Sequence, residues 1–479
     1  MAATVNLTPP GYDVVVVGFG PAGAAAALAA HDAGARVLVL EAADRGGGNA
    51  PYSGGFLCDL PPEVAVDHLD ALCFGRTPRA VLTAYADGLH ANRDWIASLG
   101  AQTTAFDPPP GRFPASFPSW PNLPGGASIE YFVVAGGEGR RGVALWGALE
   151  QAVASRGIDV RFGVRVERLL LEGRQVVGVR AGDVEIPSAG GVVLACGGFE
   201  ADPELADAYL PLGGTSPVGH GLNRGDGVRL AEQAGASFWH MYGLFGWFAF
   251  RAPGFEAAFA LDFFGPGHLY LDADGRRFCD ETGFEVHDRL RSLLTYLPRN
   301  PNAPRLPGWA VFDESARLAG PLNGLLGTPN DYVWSPDCAA EIAAGWVLTG
   351  SGPADLAARM GVEATVLTET LERYNAHCRK GLDADFGRDA DTLVPLELER
   401  LYAVQTWPGV AGTTGGPRHD HRARVLTSGG APVPGLFAAG AVSLVWGHLI
   451  EHGGGLTDAL VFGRIAGREA ATSAGRGGG

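Results

Sequence analysis

Glycines at fixed spacing near the start of the chain could hold a phosphate group. The turn GFGPAG places Gly18, Gly20 and Gly23 in the pattern G-x-G-x-x-G. The first glycine permits a tight turn, the second lets the backbone approach a pyrophosphate, and the third lets a helix and a strand pack closely. Glu41 stands about 20 residues further on, where an acidic side chain can accept hydrogen bonds from ribose hydroxyls.

The residues around this turn predict the elements that position it. An apolar strand over residues 14–17 leads into the turn, an alanine-rich helix follows, and a second strand, RVLVL, ends just before Glu41. The helix would present its first N–H groups and its partial positive charge to the phosphates. Strand, turn, helix, strand and acid in this order predict a βαβ unit that binds a dinucleotide.

A second glycine pattern, GEGRRG, contains Gly137, Gly139 and Gly142 and precedes another helix-like stretch. The next strand-like segment has no acid at the ribose position, although Arg140 and Arg141 could meet a 2′-phosphate. We interpret this pattern as an internal strand–turn–helix of the same domain and predict no separate nicotinamide site.

Composition excludes several classes of partner. The 479 residues carry a formal net charge of −16, which argues against nucleic acid because its phosphates require a surplus of Lys and Arg. The six scattered cysteines have neither C-x-x-C nor iron–sulfur spacing. We predict no metal site, so any electrons must be carried by a bound cofactor. No apolar run is long enough to predict a membrane span, and no export signal is visible, so we expect a cytoplasmic protein.

The rest of the chain changes character twice. Short strands alternate with turns over residues 158–198, which predicts a β-meander that returns to a parallel strand. Aromatic residues dominate FWHMYGLFGWFAF at 238–250, and helical periodicity returns after about residue 346. A separate domain is therefore expected to begin near residue 239.

Taken in order, these motifs resemble the FAD-dependent superfamily of fumarate reductases, succinate dehydrogenase flavoproteins and 3-ketosteroid Δ1-dehydrogenases. Within it, the chain is similar to the soluble single-chain members such as tricarballylate dehydrogenase. The matching segments run nearly the whole length and include GFGPAG, GGGNAPYSGGF (46–56), LACGGFE (194–200), NRGDGVRLAEQAGA (223–236), DADGRRFCDE (272–281), WAVFDESAR (309–317), GTTGG (412–416) and PGLFAAG (434–440).

The resemblance implies an α/β fold in which a Rossmann-type FAD-binding domain is interrupted by an α+β capping domain. We expect the FAD-binding domain over 1–238 and 347–479, and the cap over 239–346. The last helix begins near Gly454, and in the family its amide end is aimed at the flavin, where its N–H groups stabilise developing negative charge.

The same resemblance assigns residues to FAD. Ala441 stands where the family often has an acid, and residues 49–55 lack the histidine to which some relatives attach the flavin, so we expect non-covalent FAD. The expected cofactor residues are Gly18, Gly20, Pro21, Ala22, Gly23, Glu41, Gly47, Gly48, Asn49, Ser53, Gly54, Gly55, Ala195, Cys196, Gly197, Gly440, Ala441, Gly455, Leu456 and Thr457.

The implied reaction removes two hydrogens from adjacent carbons, or adds them. The positions at which fumarate reductases bind carboxylates with His and Arg fall on Trp247, on Gly412 and near Ile450, and Arg317 alone persists. This loss argues against a dicarboxylate substrate. Trp247, Tyr242 and Phe245 could instead form an apolar wall for a ring-containing substrate. The alternatives are that these rings are core of the cap, or that they insert into a membrane surface.

Proton transfer has several candidates. The loop GHLIEHGGG offers His448, Glu451 and His452 just before the last helix. Glu285 stands where relatives place a proton-relay Arg or a catalytic Tyr, and His287 follows it. Arg317 suits an electrostatic role, because arginine is effectively always protonated. Each candidate could also be a surface histidine or a partner in an ion pair.

These features predict an FAD-dependent dehydrogenase that desaturates a C–C bond beside a carbonyl-type group of an apolar substrate and passes electrons to an external acceptor. The alternatives are an ene-reductase that takes electrons from an external donor, a flavin monooxygenase and a non-redox flavin isomerase.

Overall fold

The computed structural model describes residues 11–106, 117–136, 141–211, 214–263, 265–283, 285–297, 300–323 and 329–476. Gly137, Gly139 and Arg140 of the second glycine pattern lie outside these residues. Gly142 lies in a helix of the first domain, where an added Cβ would lie 2.1 Å from the carbonyl oxygen of Ala50.

An eight-stranded sheet carries the predicted βαβ unit. Val14–Val17 pair in parallel with Val37–Leu40 on one side and, on the other, with the strand that ends at Leu194. Its strands are β1 (Tyr12–Val17), β2 (Val37–Leu40), β6 (Asp159–Arg161), β7 (Arg168–Glu172), β8 (Gln175–Ala181), β9 (Val184–Leu194), β21 (Arg424–Leu426) and β22 (Pro432–Ala438). Neighbouring strands follow the order β21-β22-β9-β1-β2-β6, while β8 also pairs with β9 and β7 pairs with β8.

The meander predicted over 158–198 is confirmed. β7, β8 and β9 pair antiparallel in sequence, and β9 then runs parallel to β1 and β22. Adjacent antiparallel strands need only short turns. Because β9 then pairs in parallel with β1, its end lies next to the glycine turn.

Two small-residue helices pack directly on each other beside this sheet. They are α1 (Pro21–Asp32) and α12 (Gly454–Arg476). An added Cβ at Gly467 would lie 2.1 Å from the carbonyl oxygen of Ala26, and one at Gly463 would lie 2.6 Å from that of Ala22. Gly463 and Gly467 are therefore needed for the close packing of α12 on α1, and this packing fixes the amide ends of both helices on the same side.

A seven-stranded sheet forms the cap. Its strands are β10 (Ser216–Pro217), β12 (Leu244–Phe250), β13 (Phe259–Ala260), β14 (His268–Leu271), β17 (Gly308–Asp313), β18 (Leu348–Gly350) and β19 (Leu401–Thr413). Neighbouring strands follow the order β13-β12-β19-β17-β14, and β10 and β18 also pair with β19.

The expected boundary after residue 346 divides this sheet. β18 and β19 come from the segment expected to return to the FAD-binding domain, yet β19 is the central strand of the cap sheet. The helical stretch after 346 also packs on the cap, because Leu356, Leu367 and Leu371 share a core with Leu269 and Val311. Helical periodicity indicated the helices correctly but carried no information about which sheet they cover.

Smaller sheets and helices complete the chain. The remaining strands are β3 (Leu57–Asp59), β4 (Thr103–Ala105) and β5 (Glu130–Val134), then β11 (Phe238–Trp239) with β20 (Gly416–Pro417), and β15 (Tyr296–Leu297) with β16 (Asn300–Pro304). The remaining helices are α2 (Pro62–Cys73), α3 (Arg79–His90), α4 (Asn92–Ser98), α5 (Arg141–Ser155), α6 (Pro203–Tyr209), α7 (Asp226–Gln233), α8 (Glu314–Leu318), α9 (Ala339–Ala343), α10 (Pro353–Met360) and α11 (Ala364–Lys380). Among the described residues, no helix has both the length and the apolar character needed to cross a bilayer.

Candidate active site

One continuous cavity connects the parallel sheet with the cap. It encloses about 2400 Å³ of empty space, including the part open to solvent at its mouth. Its walls come from the turn between β1 and α1, the segment 48–56, the end of β9, the cap strands β12 and β13, and the start of α12. The same cavity therefore reaches from the turn at Gly20 to the cap strand β12.

The three glycines of the turn have different tasks. Gly18 has a φ of +103°, and an added Cβ would lie 2.5 Å from the carbonyl oxygen of Ala195. An added Cβ at Gly23 would lie 2.0 Å from the carbonyl oxygen of Gly18. At Gly20 the nearest atom would be 3.8 Å away, and this residue faces the cavity. Gly18 and Gly23 therefore shape the turn, and Gly20 leaves room for a ligand.

Glu41 lies at the other end of the same wall. Its Oε2 accepts a hydrogen bond from the N–H of Phe19 at 2.6 Å, and its Oε1 accepts one from Ala43 at 2.8 Å. Each carboxylate oxygen has two lone pairs, so the side chain is held in place and keeps capacity to accept hydrogen bonds from a ligand.

At the cap end, Glu285 joins two histidines. Its Oε1 lies 2.9 Å from Nδ1 of His287 and 3.0 Å from Nδ1 of His452, while its Oε2 accepts the N–H of His287 at 2.7 Å. Burial opposes ionisation of this carboxyl group, but the two histidines hold the pKa of Glu285 well below its usual range. Both imidazoles line the cavity, and Glu285 lies behind them. The cluster is therefore a carboxylate that orients two potential proton acceptors.

His452 is the more enclosed of the two histidines. Its Nδ1 lies 2.5 Å from Oγ of Ser119, and its ring centroid lies 4.3 Å from that of Phe117. Burial and the neighbouring His287 lower the pKa of His452. A lowered pKa keeps an imidazole neutral, and a neutral imidazole can accept a proton.

Glu451 belongs to a second network just behind this cluster. The hydroxyl of Tyr131 donates to its Oε1 at 2.5 Å, and Nε2 of His68 lies 3.2 Å from its Oε2. Burial and the charge of Glu451 raise the pKa of Tyr131 well above its usual range. The N–H of Ser119 donates to the Tyr131 hydroxyl at 3.1 Å, which links the two networks.

A family profile described as "FAD binding domain" matches residues 13–457. The chain belongs to this FAD-binding-domain family. FAD is its cofactor and it is an oxidoreductase, as the glycine turn and the later motifs predicted. The predicted α/β fold and the resemblance to fumarate reductases and ketosteroid dehydrogenases are confirmed as well.

Several relatives align over most of the chain. It is 29% identical to 4-oxocyclohexanecarboxylate 2-dehydrogenase of Sinomonas cyclohexanicum, over 90% of this chain and 87% of the relative. It is 30% identical to a 3-oxosteroid 1-dehydrogenase of Mycobacterium tuberculosis, over 70% and 64%. It is 28% identical to the NADH:fumarate oxidoreductase of Klebsiella pneumoniae, and the match spans 98% of this chain but only 48% of that longer protein.

Solved structures share the fold. The 3-ketosteroid Δ1-dehydrogenase of Sterolibacterium denitrificans, in complex with 1,4-androstadiene-3,17-dione, has a TM-score of 0.83 at 22% identity, over 97% of this chain and 100% of that chain. The open conformation of a flavocytochrome c3 fumarate reductase has a TM-score of 0.73 at 25% identity, over 97% and 78%.

The cavity of this family member fits FAD. The first turns of α1 and α12 both reach it, and the first backbone N–H groups of a helix have no carbonyl partner within the helix. Two helix ends with free N–H groups, which suit an anion, and the carboxylate of Glu41 then lie along one cavity. The expected cofactor residues that line it are Gly18, Gly20, Pro21, Ala22, Glu41, Gly48, Asn49, Ser53, Gly54, Gly55, Ala195, Cys196, Gly197, Ala441, Gly455 and Leu456.

Four expected cofactor residues lie just outside the cavity wall. Gly23 packs in the turn, and an added Cβ at Gly47 would lie 2.9 Å from the ring of Pro51. Gly440 has a φ of +74° and approaches Ala22 closely. Oγ1 of Thr457 accepts the N–H of Cys58 at 3.1 Å, which ties α12 to β3. These residues position the cavity wall without facing a ligand.

Besides Glu285, which lies behind the two histidines, three residues expected in substrate binding or catalysis do not line the cavity. Arg317 donates to both oxygens of Glu314 at 2.7 and 2.8 Å, so its guanidinium is held in a local ion pair. His448 stacks on the exposed ring of Phe74, with centroids 4.6 Å apart. The hydroxyl of Tyr242 donates to the carbonyl oxygen of Gly447 at 2.5 Å. The structure thus separates these three from His287, His452 and Glu451, which line the cavity.

The aromatic segment is divided between the cavity and the core. Phe245 and Trp247 line the cavity, and the Trp247 ring lies 4.9 Å from that of His287. Phe248 and Phe250 are buried in the cap core. The alternation follows from β12 being a strand, because successive side chains point to opposite faces. Gly412 also lines the cavity, and an added Cβ there would lie 2.7 Å from the ring of Phe245.

Sequence reasoning missed Ser119, Tyr131 and His68. A signal existed for His68, which falls in an apolar stripe of α2 with Ala65, Leu69 and Leu72 and is fully buried. A histidine at such a position needs buried partners. Ser119 and Tyr131 offered no comparable signal.

Two groups of side chains in the described part of the chain have metal-ligand geometry. One is the cluster of Glu285, His287 and His452, and the other is His377 with Asp383 and Asp385. In the second group Asp383 already forms an ion pair with Arg277 at 2.8 Å. The absence of a metal stays a prediction.

Asp458 gives the stability of the protein a pH dependence. This fully buried residue of α12 accepts the N–H of Val445 on Oδ2 at 3.1 Å, while Oδ1 has no partner among the described residues. Burial raises the pKa of Asp458 to about 8. The folded state therefore keeps a proton that the unfolded state releases, so stability falls as the pH rises from about 4 to 8.

We expect Asp458→Asn to flatten this part of the pH profile. The amide oxygen can still accept the Val445 N–H, and no carboxylate remains to ionise. Between pH 5.5 and 8.5 the free energy of unfolding of the wild type should fall by at least about 1.4 kcal/mol more than that of the variant, the equivalent of one pKa unit. Denaturant unfolding at both pH values measures this, with the exposed residue Asp183→Asn as the control. Equal losses in wild type and Asp458→Asn would contradict the assignment.

Proposed function

We propose that this protein dehydrogenates a C–C bond beside a carbonyl group in an apolar, ring-containing substrate. The observation that carries the proposal is that His287 and His452, both bound to Glu285, open into the same cavity as the glycine turn at Gly20. FAD, when bound, accepts the hydride and so takes up the two electrons.

His287 is the proton acceptor in this proposal. Its side chain is the less buried of the two histidines, with 14% exposed against 4% for His452. Glu285 binds Nδ1, which leaves Nε2 to take a proton from the carbon beside the carbonyl group. His452 and Ser119 lie beside His287, and the centroids of the two imidazole rings are 4.4 Å apart. In this proposal they orient His287 and Glu285 and carry the proton away.

The substrate wall supports an apolar ring ketone. By the family resemblance, the carboxylate-binding positions of fumarate reductases fall on Trp247, on Gly412 and near Ile450, and these three uncharged residues line the cavity. Two relatives are named for ring ketones, 4-oxocyclohexanecarboxylate and 3-oxosteroids. The electron acceptor in this proposal is an external molecule.

We also propose that FAD is held without a covalent bond. Cys196 is the thiol that lines the cavity, and burial raises its pKa to about 12. A thiol that stays protonated is a poor nucleophile, and residues 49–55 contain no histidine.

Anaerobic mixing tests the function. FAD-loaded protein is mixed with saturated ring ketones, with the matching enones, and with succinate or fumarate. We expect a saturated ketone to bleach the flavin absorbance and to lose two hydrogens by mass spectrometry, while succinate does nothing. Turnover only of enones by prereduced protein would support the ene-reductase alternative. Oxygen incorporated into the product would support a monooxygenase, and repeated turnover without an external electron acceptor and without net bleaching of the flavin would support an isomerase.

A further inference from the structure

A second acidic side chain faces the cavity from the cap. Asp262 follows β13, lines the cavity and is only 8% exposed. Its backbone N–H donates to the carbonyl oxygen of Leu322 at 2.8 Å, so its place in the wall is fixed. Its carboxylate oxygen Oδ2 is buried and has no hydrogen-bond partner among the described residues.

Neighbouring positive charges do not satisfy this carboxylate. Arg289 and His287 influence it electrostatically, but no ion pair joins Asp262 to either of them in the part of the chain described. Nδ1 of His287 is bound to Glu285, and Nε of Arg289 is itself without a partner. Burial raises the pKa of Asp262 to about 6, so the group is mostly ionised at neutral pH. A buried, unpaired carboxylate oxygen is costly unless a ligand completes it.

The cavity wall around Asp262 includes small apolar side chains. Ala258 and Ala260, which precede Asp262 in the chain, line the cavity with it, and so does Val286, next to His287. Asn323 lines it as well, and its Nδ2 donates to the carbonyl oxygen of Ala260 at 2.7 Å. This bond orients the amide, which keeps Oδ1 as an acceptor and its second N–H as a donor. The carboxylate of Asp262 accepts only, so a ligand group bound to it must donate a hydrogen bond.

We propose that Asp262, with Asn323 beside it, binds a hydroxyl or ammonium group of the substrate. This inference rests on the proposed function and narrows its substrate class to ring ketones that also carry a hydrogen-bond donor. Asp262 determines specificity and takes no part in the proton transfer at His287.

Matched ring ketones test the inference by anaerobic flavin reduction. The probes are 4-(hydroxymethyl)cyclohexanone, 4-(dimethylaminomethyl)cyclohexanone and 4-(methoxymethyl)cyclohexanone, together with 17β-hydroxy- and 17β-methoxy-5α-androstan-3-one. Wild type should bind the best donor-bearing ketone about 10–100-fold more tightly than its methoxy partner, the range for a hydrogen bond to a charged group. The hydroxyl and amine probes show which donor is preferred.

Asp262→Leu and Asp262→Asn should bind the donor-bearing and methoxy ketones with equal affinity, so that the preference of the wild type is lost. Asp262→Leu should also raise the Tm of the ligand-free, FAD-loaded protein by on the order of 1–2 °C, because an unpaired carboxylate is lost from the interior. Asp183→Leu, on the surface, should change neither quantity.

The outcomes separate this inference from the function on which it rests. If the donor and methoxy ketones reduce the flavin with equal affinity, or if the variants keep the preference, the role of Asp262 is refuted and the dehydrogenase function stands. A fall in Tm for Asp262→Leu without a change in preference would make Asp262 a structural residue and refute the inference. If no ketone in any set changes the flavin spectrum, the proposed function fails and this inference fails with it.

Discussion

Replacing His287 by glutamine should slow the reduction of bound FAD by a ring ketone by about 10²–10⁴-fold, the usual contribution of a positioned general base. Glutamine keeps a polar side chain of similar length but cannot accept the proton. Glu285, which binds Nδ1 of His287 at 2.9 Å, would remain in place. Anaerobic stopped-flow measurements at saturating ketone give the rate constant, and the FAD content and Tm should match those of the wild type.

The control is His421→Gln, which changes an exposed histidine outside the cavity and should leave the rate constant unchanged. Glu285→Gln supplies a second check on the same cluster. Because Glu285 acts through the histidines and its charge favours a protonated imidazole, we expect Glu285→Gln to shift the pH profile of flavin reduction towards lower pH as well as to lower the rate. An unimpaired His287→Gln together with a slow His452→Gln would move the proton acceptor to His452.

The nucleotide-binding part of the site could be predicted because it depends on local spacing. Gly18, Gly20, Gly23 and Glu41 belong to one βαβ unit, and the role of each glycine follows from the turn it occupies. The structure separates those roles more finely than the motif does. It places Gly23 inside the packing of the turn and leaves Gly20 open to the cavity.

The proton-transfer cluster could be predicted only in part, because its members are distant in sequence. Glu285 meets His452 across 167 positions, and Ser119 meets His452 across 333. Family resemblance brought Glu285, His287 and His452 onto one list, but Ser119 lies in a segment without a motif. Such contacts depend on how the cap packs on the sheet, which residue patterns do not encode.

Arg317 shows that a motif position can predict a site residue that the fold places outside the cavity wall. Its motif position suggested a role at the substrate, yet Glu314 lies three residues earlier on α8 and binds it through both carboxylate oxygens. An acid and an arginine at this helical spacing are neighbours on one helix face. The local pairing was therefore available from the sequence as an alternative, and only the fold shows that it leaves Arg317 outside the cavity wall.

Gly20→Val should yield a folded protein that has lost FAD and with it all activity. Gly20 has φ −96° and ψ −169°, an extended conformation that valine adopts readily. The nearest atom to an added Cβ is the carbonyl oxygen of Gly47 at 3.8 Å, so the chain itself can accept the side chain. The branched methyl groups would instead enter the space assigned to the pyrophosphate. An overpacking cost of about 1–3 kcal/mol corresponds to a loss of FAD affinity of about 5–150-fold.

The contrast with Gly18 makes this test decisive. At Gly18 a side chain would meet Ala195 at 2.5 Å with φ at +103°, so loss of FAD there could follow from damage to the turn. Gly11→Val is the matched control, because an added Cβ has no atom within 4 Å and the residue lies outside the cavity. Flavin absorbance per mole of purified protein, FAD titration and Tm measure the result. A yellow Gly20→Val protein with wild-type FAD content would place the pyrophosphate elsewhere, whereas a colourless one with an unchanged Tm would assign the cavity beside Gly20 to the cofactor on steric grounds alone.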